Sequence, residues 1–288
     1  MTANGAPPPH HHFTVDVEEY FQVAALAPYV ARSSWDDRAS RVEVGTRRLL
    51  DLLAEHGARG TFFTLGWVAK RQRDLVRAIA AGGHELASHG WGHERVTDLT
   101  RDEFQASVRD SKAELESITG APVLGYRAPS FSIVRGYEWA LDVLTDEGYA
   151  YDSSLFPVRR PGYGFVGGGR DPYRVTTATG ALDEFPPATI RVGGAVLPAA
   201  GGGYFRLLPY GLTRAGLRSA ARRGAPGTFY IHPWELDADQ PRLDVPALTR
   251  VRHYGGIART TPRLRRLLSE FRFQSIAETL AARRTRPA

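Results

Sequence analysis

The sequence predicts an α/β fold, a distorted (β/α) barrel of about seven parallel strands with one insertion rich in Gly and Pro. Short apolar runs with many β-branched and aromatic residues alternate with helix-like apolar spacing through most of the 288 residues, which indicates strands joined by helices in a parallel sheet. These units come without a Gly-rich phosphate loop, which favours a barrel over a dinucleotide-binding fold. Hydrophobic residues make up 42% and charged residues 24% of the chain, a composition typical of a globular protein.

The first half of the chain alternates predicted strands and helices. The run HFTVDV is the first strand and ends near Asp16, and the next helix ends at Gly57. The best-marked helix begins at Thr100, because Thr100 and Glu103 have capping-box spacing and Gly120 can end the helix. The other predicted strands are 59–65, 84–89, 123–128 and 149–154, and the predicted helices are 42–57, 67–83, 100–120 and 137–148.

The region 155–209 interrupts this alternation. It is rich in Gly and Pro, and we expect an elaborated insertion with short strands around LDEFPP and TIRVGG. Regular elements return as a helix at 211–224, a strand at 227–234, a helix at 261–271 and a final strand at 273–276. Since no repeat or linker divides the chain, we predict a disordered leader 1–12, a single domain 13–280 and a basic tail 281–288.

Composition restricts the partners and the metal chemistry. The formal charge is +6, but 35 of the 37 basic residues are Arg because Lys70 and Lys112 are the only lysines, a bias typical of a GC-rich genome. We find no basic stripe interleaved with aromatic residues and expect no nucleic-acid partner; weak contact of the tail with an anionic polymer or membrane surface stays open. The chain has no Cys, so a metal must be held by His, Asp or Glu.

The N-terminus lacks the basic and apolar regions of a signal peptide, and no apolar run approaches the length of a membrane span. We therefore expect a cytoplasmic protein without a transmembrane segment. His10, His11 and His12 are interpreted as part of the leader, either a solvated native stretch or a cloning remnant.

The stretch GGHELASHGWGHERV holds three of the nine histidines. His89 and His93 are four residues apart, a spacing that on a helix would place both on one face, but the surrounding glycines favour a strand that enters a turn. Such a turn can also bring two imidazoles to one metal ion. The alternative is that His84 is a hydrogen-bonded histidine at a strand start and that the other two are ordinary loop residues. The stretch alone leaves both interpretations open.

Polar residues also stand at the carboxyl ends of the predicted strands. In a (β/α) barrel these ends open onto one face, where active sites lie, so we expect the side chains to converge. Two imidazoles and a carboxylate are what a three-ligand catalytic zinc site requires. Taken singly, each residue has a plainer explanation, such as a helix N-cap for Asp152 or a buried structural histidine for His232. The strand-end residues are Asp16, Glu18, His89, Arg127, Asp152 and His232.

Five short motifs contain or adjoin these residues and appear in the order TVDVE at 14–18, SHGWGH at 88–93, YRAPS at 126–130, YDSS at 151–154 and YIHPW at 230–234. Together these motifs resemble the NodB-type polysaccharide deacetylases, carbohydrate esterase family four, over nearly the whole chain. Three further segments, GGGYFRLLPY, HPWE and RHYGGIARTTPRLRRLL, resemble the branch of this family found with exopolysaccharide biosynthesis genes.

The resemblance implies a divalent metal, with zinc expected and cobalt or manganese as alternatives. The family commonly has two adjacent aspartates in its first motif, a base followed by a ligand, whereas this chain has Val17 in the second place. A variant spacing in related deacetylases places the ligand two residues after the base. This spacing implies Asp16 as base and Glu18, His89 and His93 as ligands, with Glu19 as the alternative ligand.

The remaining roles also follow from the resemblance. Arg127 would position and polarise Asp16, and a backbone N–H near Ser130 would bind the oxyanion. His232 would be the acid that protonates the leaving amine, and Asp152 would orient His232. The candidates for stacking on a sugar ring are Tyr20, Phe131 and Trp234.

The function implied is hydrolysis of an N-acetyl group on a sugar of a polysaccharide or of a lipid-linked precursor at the inner membrane face. Two alternatives stay open at this stage: hydrolysis of a non-sugar amide or cyclic imide, and a barrel that binds carbohydrate without catalysis. The sequence gives no oligomeric state.

Overall fold

The protein is described by a computed structural model that covers residues 9–160 and 162–284. The strands are β1 (His11–Val17), β2 (Thr61–Thr64), β3 (Glu85–Ser88), β4 (Gly125–Tyr126), β5 (Tyr151–Asp152), β6 (Tyr173–Thr176), β7 (Ala181–Glu184), β8 (Thr189–Val192), β9 (Ala195–Pro198), β10 (Thr228–Ile231) and β11 (Phe273–Gln274). The helices are α1 (Val42–Glu55), α2 (Gly66–Arg71), α3 (Arg73–Ala81), α4 (Arg101–Thr119), α5 (Trp139–Asp146), α6 (Gly202–Leu207), α7 (Tyr210–Arg222), α8 (Ala247–Tyr254), α9 (Thr260–Glu270) and α10 (Ile276–Arg284).

The main sheet has the order β10-β1-β2-β3-β4-β5-β7-β6, and β11 pairs with the start of β1. The neighbours from β10 to β7 are parallel, and only β6 is antiparallel to its partner. The segment after β7 meets β10 through a single parallel bridge, Pro187 to Thr228. The sheet is therefore a curled, incompletely paired barrel, which confirms the predicted α/β barrel class.

The central strands are buried along their whole length because both of their faces are covered. Every residue of β1, β2 and β10 is buried, as expected for parallel strands with helices outside and packed side chains inside. The largest core cluster includes Phe13, Leu49, Leu53, Phe229 and Leu264. This packing fixes the strand ends, and with them the residues that follow each strand.

One predicted helix is two helices in the structure. The stretch 67–83 is broken at Gln72, whose φ of −122° and ψ of 48° are not helical. Val68 and Leu75, one on each side of the break, are both buried and seven residues apart, so the apolar spacing continues across it. The sequence pattern therefore contains no sign of the interruption.

The predicted insertion 155–209 contains β6 to β9 and α6. The strands expected around LDEFPP and TIRVGG correspond to β7 and β8, whereas β6, β9, α6, α8 and α10 were not predicted. β8 and β9 form a separate hairpin whose turn residues, Gly193 and Gly194, both have positive φ. This conformation is typical of the tight turns that match strand twist.

The domain begins earlier than predicted. His11 and His12 lie in β1 and are buried, and the N–H of Gly227 donates to His11 Nδ1 at 2.9 Å. Their interpretation as leader residues is wrong, because pairing with β10 and β11 covers them. The rest of the predicted leader, 1–8, lies outside the described residues, as does 285–288 of the predicted tail.

Within the two described ranges, no helix combines the length and the apolar character that crossing a membrane requires.

Candidate metal centre and active site

The carboxyl ends of the parallel strands bring the predicted site residues together. Asp16 lies near the end of β1, and His89, Arg127 and His232 each follow directly after their strands. One ligand atom from each of Glu18, His89 and His93 lies within 4.8 Å of the others. The arrangement inferred from the strand ends is therefore the one that the fold produces.

The structure separates the two candidate carboxylates after β1. Glu18 faces the histidines, whereas Glu19 turns to the N-terminus of α1. There, Glu19 Oε2 accepts hydrogen bonds from the backbone N–H groups of Arg41 and Val42 at 2.9 and 3.1 Å, and Oε1 accepts one from the Ser40 hydroxyl. A carboxylate in this position caps the helix and opposes its dipole. The geometry thus favours Glu18 as the ligand.

His89 is oriented for ligation through Nε2. Its Nδ1 lies 2.8 Å from the carbonyl oxygen of Arg127, so Nδ1 carries the proton and the Nε2 lone pair is free. Burial, together with the neighbouring His93, lowers the pKa of His89 to about 4. The imidazole is therefore neutral at physiological pH, which is the form that binds metals.

The donor set fits a divalent metal. Nε2 of His93 lies 2.7 Å from Oε2 of Glu18, and Nε2 of His89 lies 4.0 Å from the same oxygen. Glu18 Oε2 is nonetheless buried without an aligned hydrogen bond among the described residues. Burial opposes ionisation of Glu18, but His93 and His232 outweigh it and lower the carboxyl pKa to about 2. A buried carboxylate oxygen that faces two imidazoles matches the ligand preferences of zinc.

Asp16 is paired with a fully buried arginine. Arg127 Nη1 donates to Asp16 Oδ1 at 2.7 Å and to the Thr14 hydroxyl at 2.8 Å. Its Nε and Nη2 donate to the carbonyl and hydroxyl oxygens of Ser153, and its guanidinium lies 4.1 Å from the ring centre of Phe63. The arginine is therefore held on all sides and fixes the position of the Asp16 carboxylate.

His232 closes the site on the side of β10. Its Nε2 lies 3.8 Å from Asp16 Oδ2 and 3.8 Å from Glu18 Oε1, and its Nδ1 lies 2.8 Å from Glu235 Oε2. Burial disfavours the imidazolium, but the carboxylates of Glu18 and Glu235 outweigh it and raise the pKa of His232 to about 9. The ring thus faces the centre with a proton to donate.

Asp152 does not contact His232, so its predicted orienting role is wrong. Its carboxylate accepts from the hydroxyl and backbone N–H of Ser154 at 2.6 and 3.2 Å. β7 lies next to β5, and its Glu184 is the direct partner of Asp152 in the ladder. Burial raises the pKa of Asp152 to about 6, and burial and Asp152 raise that of Glu184. The two side chains therefore form their own carboxyl pair.

Two predicted sugar-stacking residues have no free ring face. Trp234 stacks between His253 and His232, with ring centroids 4.3 and 5.2 Å away, and Tyr20 is buried in the same cluster. The stacking prediction is wrong for both because packing covers their rings. Instead, the indole N–H of Trp234 donates to Glu18 Oε1 at 3.0 Å. Phe131, also buried, packs edge-on against Phe156 and Tyr230.

Backbone strain marks the rim of the site. Among the residues that the structure describes, three other than glycine have positive φ: His93 at 61°, Ser130 at 56° and Phe131 at 53°. Such conformations are costly and concentrate at functional sites. Ser130 is only partly buried, and the predicted role of a nearby backbone N–H toward an oxyanion stays a prediction.

A cavity of about 570 Å³ adjoins the centre on the side of His93. It is enclosed by the loop after β1 and by the residues that follow His93, and its lining includes Trp35, Arg32 and Arg95. Sequence reasoning did not identify this space, because the loop residues that enclose it belong to no motif. Its size is that of a small-molecule or sugar pocket.

Sequence reasoning also missed Glu235, Arg206 and Glu184. Glu235 stands three residues after His232, and its side chain accepts from the backbone N–H of His232 at 3.1 Å. That spacing was a usable signal, since Glu at this position of a helical turn commonly bonds back to the residue before the turn. Arg206 and Glu184 come from distant segments, and only packing brings them to the site.

Two family models match the chain. Residues 28–149 match the polysaccharide deacetylase family, and residues 153–281 match a domain of unknown function, DUF3473. A chitooligosaccharide deacetylase from Rhizobium leguminosarum bv. trifolii is 39% identical over 103 residues, 35% of this chain and 44% of that protein. A peptidoglycan deacetylase from Helicobacter pylori is 29% identical over 135 residues, 45% of this chain and 44% of that protein. The chain spans less than half the length of these two relatives.

Two solved structures share the fold over the whole chain. A Mycobacterium smegmatis protein classed among the polysaccharide deacetylases has a TM-score of 0.62 at 22% identity and covers 98% of this chain and 97% of its own. A Pseudomonas aeruginosa protein of the same class has a TM-score of 0.62 at 17% identity and covers 99% and 98%. The family match over residues 28–149, with the motif residues gathered at the strand ends, identifies the chain as carrying a NodB-type polysaccharide deacetylase domain, of carbohydrate esterase family four.

Proposed function

We propose that the chain is a metal-dependent deacetylase that hydrolyses the N-acetyl group of a sugar and releases acetate. The observation that carries this proposal is the convergence of Glu18, His89 and His93 beside the Asp16–Arg127 pair, with His232 Nε2 3.8 Å from Asp16. The sugar belongs to a polysaccharide or to its lipid-linked precursor. The activities for which the two relatives are named, deacetylation of chitooligosaccharide and of peptidoglycan, support this substrate class.

Glu18, His89 and His93 would hold the metal, and zinc suits their mixture of imidazole and carboxylate donors, with cobalt or manganese as alternatives. When bound at such a site, a divalent metal lowers the pKa of water toward 7 and polarises a carbonyl oxygen. Asp16 accepts the proton from the attacking water. Arg127 keeps Asp16 in place through its hydrogen bond to Oδ1.

Cleavage of the C–N bond requires a proton on the leaving nitrogen, because a free amide anion is a poor leaving group. His232 holds that proton, since its pKa is raised to about 9 by Glu18 and Glu235 against the effect of burial. Its Nε2 points to the same space as Asp16 and Glu18. A base and an acid thus both face the space where the acetyl group would bind.

The test combines metal analysis with acetate release. The purified chain is loaded with zinc, cobalt or manganese, and acetate is measured from N-acetylated chito-oligosaccharides, a muramyl glycan, a small acetamide and a cyclic imide. We expect one metal per chain and acetate from a glycan, with both lost in His89→Ala. If only the imide or the small amide is hydrolysed, the substrate is a small molecule and not a sugar. Metal binding without any hydrolysis would favour a non-catalytic barrel.

The cytoplasmic location and the exopolysaccharide setting predicted from the sequence stay predictions.

A further inference from the structure

Three segments of the second half of the chain meet behind His232. They are GGGYFRLLPY, which contains α6, the HPWE turn, and RHYGG at the end of α8. Arg206 joins them: its Nε donates to Glu235 Oε1, its Nη2 to the carbonyl of Arg252 at 2.9 Å, and its Nη1 to the carbonyl of Gly255. This guanidinium is 1% exposed, so it forms a buried anchor for the HPWE turn.

Both oxygens of the Glu235 carboxylate are engaged. Oε1 faces Arg206, and Oε2 accepts from the backbone N–H and the ring Nδ1 of His232 at 3.1 and 2.8 Å. The Glu235 side chain is fully buried. A carboxylate held at both oxygens has one orientation, and it imposes one orientation on the imidazole that donates to it.

We propose that Glu235, anchored by Arg206, is the positioning residue of His232 and takes the role that the family resemblance assigns to Asp152. The inference rests on the proposed function, in which His232 is the acid. With Nδ1–H donated to Glu235, Nε2 is the atom left to face Asp16 and Glu18.

The surroundings of Asp152 agree with this assignment. Its carboxylate is committed to Ser154 and Glu184 on the β5–β7 side. Arg206, His232 and Glu235 all lie within 153–281, the region that matches a domain of unknown function. One task of that region is therefore to supply the acid of the reaction together with its buried support.

A purely structural role for Glu235 would need only its pair with Arg206. The additional bond to the His232 ring is what a positioning role requires, and it can be observed directly. In Glu235→Gln the amide oxygen should turn to the Arg206 cation, which places the amide NH₂ opposite Nδ1. That arrangement removes the acceptor for Nδ1–H and disfavours the protonated imidazole.

The first measurement is proton NMR of the full-length, metal-loaded protein. An imidazole Nδ1–H bonded to a carboxylate should give a downfield resonance, which His232→Ala identifies by its loss. We expect this resonance to disappear in Glu235→Gln and to persist in Asp152→Asn. Glu85→Gln is the matched control, because Glu85 is a half-buried carboxyl at the amino end of β3 that also accepts from neighbouring hydroxyl groups.

The second measurement is acetate release from an N-acetylated chito-oligosaccharide. We expect Glu235→Gln to lower kcat by roughly 10- to 10³-fold with little change in KM, since loss of orientation forfeits part of the effect of a positioned acid. Glu235→Asp, which keeps the charge but shortens the side chain, should recover part of kcat. Metal content should equal that of the wild type in both variants.

Glu235→Gln leaves the buried Arg206 without a counter-charge, which can prevent folding. The double variant Arg206→Met with Glu235→Leu removes both charges, a replacement that buried pairs tolerate, and it should show the same loss of resonance and of kcat. Persistence of the resonance without Glu235, or its loss in Asp152→Asn, would overturn the inference. A wild type with the expected resonances but no acetate release would refute the proposed function and leave the pairing standing.

Discussion

His12 makes the folding stability depend on pH at a place remote from the site. Its ring is fully buried at the amino end of β1, with Nδ1 3.0 Å from the Thr228 hydroxyl and Nε2 2.8 Å from the Thr279 hydroxyl. Burial, with the neighbouring His11 and Arg127, lowers the pKa of His12 from 6.5 to about 3. The folded protein therefore excludes the proton that the unfolded chain binds.

The consequence has a definite sign. Between pH 6.5 and about 3 the unfolded state binds more protons than the folded state at this position, so the stability contribution is full above pH 6.5 and is lost as the pH falls. A pH of 5 lies about 1.5 pH units below the ordinary histidine pKa, and each unit favours the protonated unfolded chain by about 1.4 kcal/mol. This one residue should therefore lower the free energy of unfolding by about 2 kcal/mol at pH 5. His11, whose pKa burial lowers to about 4, acts in the same direction.

The assay is urea unfolding of the wild type and of His12→Gln at pH 7, 6 and 5. The variant should be less stable at pH 7, because glutamine cannot reproduce both ring contacts. Its loss of stability from pH 7 to 5 should be smaller than that of the wild type by about 2 kcal/mol. His10→Gln, an exposed neighbour, is the control and should keep the wild-type dependence. Parallel pH dependences for the wild type and His12→Gln would refute the reasoning.

Three further predictions concern the centre. Trp234→Phe removes the indole donor to Glu18 and should weaken zinc binding about 10- to 100-fold in a chelator competition, with unchanged affinity counting against that contact. Arg127→Met leaves the Asp16 carboxylate buried without its partner and should cost about 3–5 kcal/mol in urea unfolding along with most acetate release; a variant as stable as the wild type would contradict this. Glu18→Gln should lose bound metal, whereas Glu19→Gln should keep it. Glu19→Gln should also lower the free energy of unfolding by about 1 kcal/mol, because the cap of α1 is weakened. Equal metal loss in both variants would show that the ligand in the first motif was wrongly assigned.

The fold could be predicted because local patterns and the global topology agree. Strand runs such as TFFT in β2 are buried on both faces and consist of β-branched and aromatic residues, and α4 shows its capping box and its terminal Gly120 in the structure as in the sequence. Prediction failed where tertiary contacts decide the local structure. The break at Gln72 and the burial of His12 depend on what packs against them, and a residue's own neighbours in sequence do not contain that information.

For the candidate site, the sequence predicts which residues come together but does not predict all of their partners. Asp16, His89, Arg127 and His232 are adjacent in space because parallel strands end at one edge, a rule that needs only the strand positions. The partner of His232 could not be predicted this way. Asp152 also ends a strand, yet the strand order places Glu184 beside it. The ring of His232 is hydrogen-bonded to Glu235 instead. Strand ends predict which residues share a face, whereas strand order and side-chain packing decide which of them touch.

The boundary between the two family matches, at 149–153, does not divide the site. Asp16 lies on β1 and Glu18 just after it, ahead of the first match, whereas His89 and His93 lie within that match and His232 and its support lie within the second. β10, which leads into His232, pairs directly with β1 over four registered positions, from His12 with Thr228 to Val15 with Ile231. The distance from His232 to Asp16 is therefore set by one parallel ladder between β1 and β10. A change that shifts this register should separate acid from base while leaving Glu18, His89 and His93 together, so metal binding would persist without turnover.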